Sequence, residues 1–164
     1  MFLIDTSVWI DYLRRRPTRA AGWLEEILDR EYPFGITGVI YQEILQGADS
    51  EASYQRLAAY LGTQVFYHPR DPVESHAEAA RLYFRCRRAG VTLRGTIDCL
   101  IAQVAVEHDL IIVHDDRDFE LLASVVPEVR LYSGGLSAPP PPDAVHEAEA
   151  EYDEGGGGVG ERHA

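Results

Sequence analysis

Short apolar runs alternate with stretches of helical periodicity along most of this chain, and this alternation limits the folds open to it. The strand-like runs occupy residues 2–5, 34–36, 65–67, 110–113 and 129–132. Between them, apolar side chains recur three or four residues apart, which predicts helices. Strands that alternate with helices form a parallel sheet with helices on its faces. We therefore expect an α/β fold of three layers, with a central, mostly parallel sheet flanked by helices.

Hydroxyl side chains stand just before several of the helical stretches. Thr6 or Ser7, Thr37 and Thr96 occupy such positions, and their oxygens can accept hydrogen bonds from the free N–H groups of a first turn. These residues are therefore candidate N-caps. The helical stretches cover about residues 7–13, 23–28, 40–45, 54–61, 73–84, 97–106 and 119–126.

The composition changes after the two glycines at 134–135. Four consecutive prolines at 139–142, an acidic stretch rich in Ala and Glu, and four consecutive glycines at 155–158 follow. Such a segment cannot bury enough apolar surface to fold. We expect one domain over residues 1–136 and a disordered tail over residues 137–164.

The charge of the chain bears on its partners. Its 27 acidic and 15 basic residues give a net charge of −12, and every basic residue is an arginine. A protein that binds nucleic acid without sequence preference is usually basic, so this charge argues against such a substrate. The predicted tail carries seven of the acids and one arginine, so the predicted domain is near −6.

Cysteine content and hydropathy indicate the compartment. Cys86 and Cys99 are the only cysteines and form no CxxC pair, so we expect neither a disulfide framework nor a zinc site. No apolar run approaches ~20 residues, the length of a membrane span. The first residues lack a basic segment followed by an apolar one, so we expect a cytoplasmic protein.

Acidic side chains follow the predicted strands or open the helices that those strands feed. Asp5 ends the first strand, Glu43 lies in the helix after the second, Asp98 opens a later helix, and Asp116 and Asp118 follow the fourth strand. Because the carboxyl ends of neighbouring parallel strands meet at one crevice, we expect these acids to cluster. Crowded carboxylates require a cation, and oxygen ligands suit Mg²⁺ or Mn²⁺. The pattern indicates a metal-dependent phosphodiesterase.

Taken alone, each acid has an ordinary structural explanation. Asp5 and Asp98 suit the first turn of a helix, and Asp116 and Asp118 suit a turn after a strand. A glutamate at the border of an apolar stripe, such as Glu43, is usually solvated. Their shared placement is what favours a common site.

Four segments resemble PIN-domain ribonucleases, specifically the VapC-type toxins of bacterial toxin–antitoxin pairs. They are LIDTSVWIDYL at 3–13, IYQEILQGA at 40–48, TIDCLIA at 96–102 and VHDDRDF at 113–119. The segments occur in family order and near family spacing, so the resemblance covers about residues 1–135. It implies a PIN-like fold, Mg²⁺- or Mn²⁺-dependent endoribonuclease activity that inhibits translation or growth, a VapB-like antitoxin partner and a homodimer.

The resemblance also implies roles for individual residues. Asp5, Asp98 and Asp116 would be the main metal ligands, and with Glu43 they form the family's catalytic quartet. Asp118 would be an auxiliary acid, and Thr6 would place a hydroxyl at the metal or its water. Glu43 would be auxiliary as well, as a ligand of a second ion or as the group that orients the attacking water.

The sequence departs from the family pattern at His114, where many members carry Thr or Ser. A hydroxyl contribution from this strand end is therefore in doubt. His114 itself is either a partly buried strand-end residue or a group that approaches the site.

Arginines are the available phosphate ligands, because guanidinium groups suit phosphate recognition. They fall into two sequence clusters, at residues 14–19 and 81–94. Arg94 is the best candidate for substrate binding because it lies four residues before Asp98. The alternative for most of them is a solvated helix face.

Other phosphate-handling families fit less well. Receiver domains and haloacid-dehalogenase-like phosphatases use a lysine near their acidic pocket, and this chain has none. The latter also need Asp-x-Asp at the first strand, where Asp5-Thr6-Ser7 stands. A non-catalytic PIN-fold interaction protein and a housekeeping RNA-processing nuclease remain as alternatives.

An antitoxin would be expected to lay an apolar segment beside the N-terminal helices. Trp9, Tyr12, Leu13 and Trp23 offer aromatic and apolar surface there. The alternative is that all four are core residues.

Overall fold

A parallel sheet of five strands organises the protein. The computed structural model describes residues 1–135, and the predicted tail and its boundary at residue 136 lie outside the described residues. The strands are β1 (Phe2–Ile4), β2 (Phe34–Thr37), β3 (Val65–Tyr67), β4 (Ile111–Val113) and β5 (Arg130–Leu131). Their order in the sheet is β3-β2-β1-β4-β5, and each neighbouring pair is parallel. The α/β prediction is therefore confirmed, with a wholly parallel sheet in place of a mostly parallel one.

Helices connect consecutive strands. Because crossovers between parallel strands are right-handed, and the chain reverses its direction across the sheet after β3, the helices before and after β3 lie on opposite faces. The helices are α1 (Thr6–Leu13), α2 (Arg19–Asp29), α3 (Gly38–Gln46), α4 (Glu51–Leu61), α5 (Glu74–Arg88), α6 (Ile97–Glu107) and α7 (Arg117–Val125). Before β3, α1 packs on α2 and α3, and α3 packs on α4. After β3, α5 packs on α6 and α7.

The start of α1 differs from the expected capping. Asp5, rather than Thr6 or Ser7, is the N-cap, and its carboxylate accepts from the backbone N–H of Ser7. Thr37 caps α3 as predicted, with Oγ1 accepting from the N–H of Ile40. Thr96 precedes α6, but its side chain makes no capping hydrogen bond. An acid at the cap leaves the hydroxyl of Thr6 available for another contact.

Trp9 is a core residue. Its side chain is 0% exposed, and its ring lies edge-on to those of Tyr12 and Tyr60. The expectation that Trp9 offers surface to a partner is therefore wrong. Burying so large a ring in the first helix anchors α1 against the sheet.

The sheet has one topological switch point. β1 lies between β2 and β4, and the connections that follow β1 and β4 leave in opposite directions. Such a divergence opens a crevice at the carboxyl ends of the two strands, where open α/β sheets bind ligands. Among the described helices, none is long and apolar enough to cross a membrane.

Candidate active site

Asp5 lies at the switch point, directly after β1. Its side chain is buried, and Oδ2 accepts hydrogen bonds from the backbone N of Ser7 at 2.9 Å and from Ser7 Oγ at 2.6 Å. Burial raises the pKa of Asp5, while the bonds from Ser7 and the nearby His114 lower it. Ser7 Oγ also accepts from the N–H of Asp115 at 3.0 Å. Ser7 thus ties the end of β1 to the loop after β4.

Thr6 and Glu43 form the second contact in the crevice. Thr6 Oγ1 donates to Glu43 Oε2 at 2.5 Å, which joins the first turn of α1 to the middle of α3. Glu43 is half-buried. The hydroxyl therefore fixes one carboxylate oxygen of Glu43, which the sequence places at the border of the apolar stripe of its helix.

Asp98 shows that the acids share one crevice. It lies in the first turn of α6 and is half-buried. Its pKa is raised from 3.8 to about 7, first by burial and then by repulsion from Asp5, Asp116, Asp118 and Glu43. The other four acids proposed from sequence therefore all lie close enough to Asp98 to raise its pKa.

Arg94 is the cation in this crevice. Its backbone N donates to Asp118 Oδ2 at 2.7 Å and its Nε to Asp118 Oδ1 at 3.1 Å, while Nη2 forms an ion pair with Asp116 Oδ1. Asp118 is buried, and Asp116 caps α7 by accepting from the N–H of Asp118. Arg94 was expected to bind substrate, and the structure places it directly on two of the acids.

His114 is a strand-end residue that supports the crevice. It is buried, its Nδ1 accepts from the backbone N–H of Asp116 at 3.3 Å, and its ring packs on Phe119 with centroids 5.3 Å apart. These contacts favour the structural interpretation of His114. The hydroxyl that contacts the loop after β4 comes from Ser7, whose Oγ accepts from the N–H of Asp115.

The donor set fits a hard divalent cation. Its members are carboxylates and one hydroxyl, with no thiol or imidazole ligand, and such oxygens suit Mg²⁺ or Mn²⁺. The carboxylates that raise the pKa of Asp98 repel its negative charge, and a bound cation would reduce that repulsion. Within residues 1–135, however, no three His, Cys, Asp or Glu side chains already converge as a metal site. Asp5, Glu43 and Asp116 are instead turned to Ser7, Thr6 and Arg94.

Sequence reasoning missed the contribution of Ser7. By sequence Ser7 is only a candidate helix cap, although an aspartate at a strand end commonly accepts from the backbone two residues on, in an Asx turn. The contact between Ser7 and Asp115 joins residues 108 apart in the chain. Only the pairing of β1 with β4 brings these two residues together.

Comparison with known proteins identifies the family. The family model described as the PIN domain matches residues 2–125. Ribonuclease VapC11 of Mycobacterium tuberculosis is 36% identical over 126 residues, which cover 76% of this chain and 93% of that protein. The VapC ribonuclease Mb1587 of Mycobacterium bovis gives the same identity and coverage. The chain belongs to the VapC family of PIN-domain proteins.

Solved structures share the PIN-domain fold of this VapC-family chain. VapBC2 from Rickettsia felis, bound to a DNA fragment from its promoter, matches with a TM-score of 0.60 and 13% identity, over 82% of this chain and 98% of that one. VapBC-1 from nontypeable Haemophilus influenzae gives a TM-score of 0.61 and 14% identity, over 80% and 96%. At these identities the likeness is one of fold.

Proposed function

We propose that this VapC-family chain is a Mg²⁺- or Mn²⁺-dependent endoribonuclease that hydrolyses RNA phosphodiester bonds as the toxin of a toxin–antitoxin pair. The observation that carries the proposal is the placement of the acids at the switch point of the sheet, where Asp5 follows β1, Asp116 caps α7 and Asp98 lies in the first turn of α6. The raised pKa of Asp98 is consistent with this crowding. The ribonuclease names of the relatives at 36% identity support the reaction and the substrate.

Asp5, Asp98 and Asp116 are the proposed metal ligands, with Glu43, Asp118 and Thr6 in auxiliary roles. A divalent ion held there would lower the pKa of a bound water and polarise the phosphate. The residues of the chain prepare the crevice for that chemistry. Ser7 fixes Oδ2 of Asp5, so the orientation of this carboxylate is set before any ligand binds.

Glu43 is the proposed group that orients the attacking water. Thr6 engages its Oε2, which leaves Oε1 to accept a hydrogen bond from water. Arg94 is the proposed phosphate ligand, because its side chain is 71% exposed and its guanidinium has further N–H groups beyond the two that contact Asp116 and Asp118.

Cleavage of a mixed RNA substrate with Mn²⁺, with and without EDTA, tests the reaction. We expect cleavage that EDTA abolishes and that Asp5→Asn removes. Asp29→Asn is the matched control, because Asp29 is an exposed acid at the end of α2. Cleavage by Asp5→Asn at the wild-type rate would contradict the site assignment. Complete absence of cleavage by the wild type would favour a non-catalytic interaction protein.

We also propose a VapB-like antitoxin as partner and a homodimer of the chain. The Rickettsia and Haemophilus structures are VapBC proteins, and an arginine or lysine of a partner would compete for the acidic crevice. Tyr12 and Leu13 of α1 and Ala21 of α2 line a cavity of about 750 Å³, together with the charged side chains of Arg15, Arg16 and Glu25. This cavity is the proposed seat of the apolar segment of the antitoxin.

We expect this partner to be encoded beside the chain, so co-expression with the product of an adjacent small gene tests the proposal. We expect the two proteins to elute together on size exclusion, RNA cleavage to be inhibited, and the free chain to elute as a dimer. Separate elution without inhibition would favour a housekeeping nuclease.

A further inference from the structure

A second cavity adjoins the acidic crevice. It measures about 570 Å³ and is lined by the start of α2, the start of α7 and the segment after β5. His114 and Asp116 line it as well, so it opens beside the proposed metal ligands. Its volume lies in the range of about 300–1,000 Å³ that is typical of small-ligand sites. A single nucleotide is therefore of suitable size.

A fixed cationic surface forms one wall of this cavity. The guanidinium of Arg19 lies 4.8 Å from the ring centroid of Trp23, and Arg19 Nη2 donates to the carbonyl oxygen of Ser133 at 3.2 Å. Tyr132 holds Trp23 from another side, edge-on at 5.1 Å. A guanidinium that lies over an aromatic ring and donates to the backbone has fewer orientations open to it than a free arginine side chain. Guanidinium planes and aromatic rings are the surfaces on which unpaired RNA bases stack.

Arg117 supplies a second guanidinium. It is exposed at the first position of α7 and lines the cavity. Within residues 1–135 neither Arg117 nor Arg19 forms an ion pair with a carboxylate, unlike Arg94. The acids that line the same cavity are Asp115, Asp116 and Glu120, and of these Asp116 is already paired with Arg94. Asp115 and Glu120 are exposed and offset the charge of Arg19 and Arg117, so the lining has no net positive charge. The two guanidinium groups can still contact an anionic ligand directly.

We propose that this cavity binds the nucleotide next to the scissile phosphate of a single-stranded RNA, with its base on the Arg19–Trp23 pair and its phosphate on Arg117. The proposal rests on the proposed function, since it places the cavity on the path of the strand that enters the crevice. The proposal also gives Trp23 a role in substrate binding in place of the expected role in antitoxin binding. Trp23 does not line the cavity between α1 and α2 that is the proposed antitoxin site.

RNA binding without turnover tests the proposal. Fluorescence anisotropy of a labelled single-stranded RNA in EDTA gives the Kd for wild type, Arg19→Gln and Arg117→Gln. We expect each variant to raise the Kd about fivefold or more, as for loss of one stacked base or a phosphate contact. Arg56→Gln is the control and should bind within twofold of wild type. It removes the same charge from an exposed position on α4, near the opposite edge of the sheet.

Tryptophan fluorescence gives an independent measurement. Trp9 is 0% exposed, so quenching on addition of RNA would report on Trp23. We expect this quenching in wild type and its loss in Trp23→Phe, which keeps an aromatic ring against Tyr132.

The outcomes separate this proposal from the proposed function. Equal Kd values for Arg19→Gln, Arg117→Gln and Arg56→Gln would overturn the nucleotide site, even if the wild type cleaves RNA. Loss of antitoxin binding in Arg19→Gln with unchanged RNA binding would also overturn it, since the cavity would then belong to the partner. Arginine-dependent RNA binding by a wild type that cleaves nothing would support the site and refute the nuclease.

Discussion

Asp118 accepts hydrogen bonds from two parts of Arg94, the backbone N at 2.7 Å and Nε at 3.1 Å. The aspartate side chain is 4% exposed, whereas that of Arg94 is 71% exposed. A buried carboxylate therefore fixes the loop before α6 and aims the guanidinium at Asp116. Asp118 acts on the crevice through Arg94, in addition to the auxiliary metal role proposed for it.

Replacing Asp118 should destabilise the fold. Asp118→Ala would leave the backbone N–H of Arg94 without its buried acceptor, which costs about 1–3 kcal/mol. Urea denaturation in EDTA measures this loss without any contribution from metal. Asp29→Ala, at an exposed acid of α2, should change the free energy of unfolding little. An unchanged stability of Asp118→Ala would show that the contact with Arg94 contributes nothing to folding.

Divalent ions should stabilise the wild type. They bind the assembled crevice and not the unfolded chain, so Mn²⁺ at ~100 times its Kd should add about 2.7 kcal/mol to the free energy of unfolding. Urea denaturation with Mn²⁺ and with EDTA measures the difference. Asp5→Asn should reduce it, because one proposed ligand is lost. Equal stability with and without Mn²⁺ would argue against a metal in this crevice.

Arg94 should compete with the metal for Asp116. Arg94 occupies Oδ1 of Asp116, and an exposed ion pair of this kind contributes little to stability, so a metal ion can displace it. We expect Arg94→Gln to bind Mn²⁺ about two- to fivefold more tightly in calorimetric titration, although it should bind RNA less well. Arg56→Gln serves as the charge-matched control. Weaker Mn²⁺ binding by Arg94→Gln would instead mean that Arg94 orients Asp116 for the metal.

The clustering of the acids could be predicted because it depends on strand ends. Asp5 and Asp116 follow strands that are adjacent and parallel. Hydrophobic periodicity and turn residues are enough to locate the ends of such strands, and these ends meet in one crevice. The partners of those acids could not be predicted in the same way. Ser7 reaches Asp115 and Arg94 reaches Asp118 across loops, whose conformations leave no periodic signal.

The sequence also could not predict which aromatic side chains are buried. Trp9 and Trp23 both lie on apolar helix stripes, yet Trp9 is fully buried whereas Trp23 is half-buried and lines a cavity. The difference arises from packing between elements. Trp9 meets Tyr60 of α4, while Trp23 meets Tyr132, which follows the edge strand β5.

We propose that the domain predicted at residues 1–136 folds and acts without residues 137–164. Deleting residues 137–164 should leave the melting temperature and RNA cleavage nearly unchanged, because a segment rich in Pro, Gly and acidic residues buries little apolar surface. Solubility should fall, since the segment carries half of the net negative charge. Thermal denaturation and cleavage of both forms measure this. A melting temperature several degrees lower would show that the segment packs on the domain.

Asp98 should make the metal-free protein less stable as pH rises. Its pKa is about 7 in the folded protein against an ordinary value of 3.8, because burial and the neighbouring carboxylates oppose its ionisation. Between these values the folded state retains a proton that the unfolded state has lost, so the free energy of unfolding falls as pH rises through this window.

Asp98→Asn removes the ionisable group and should remove this pH dependence. In EDTA at pH 8 the variant should be at least as stable as wild type, and its advantage should shrink as pH falls towards 4. With Mn²⁺ it should cleave no RNA. The loss of one carboxylate charge would then account for both the gain in stability and the loss of activity. Urea denaturation at both pH values, with Asp29→Asn as the control, measures the first effect. A variant that is less stable than wild type at pH 8 would show that Asp98 is stabilised, and not strained, by its surroundings.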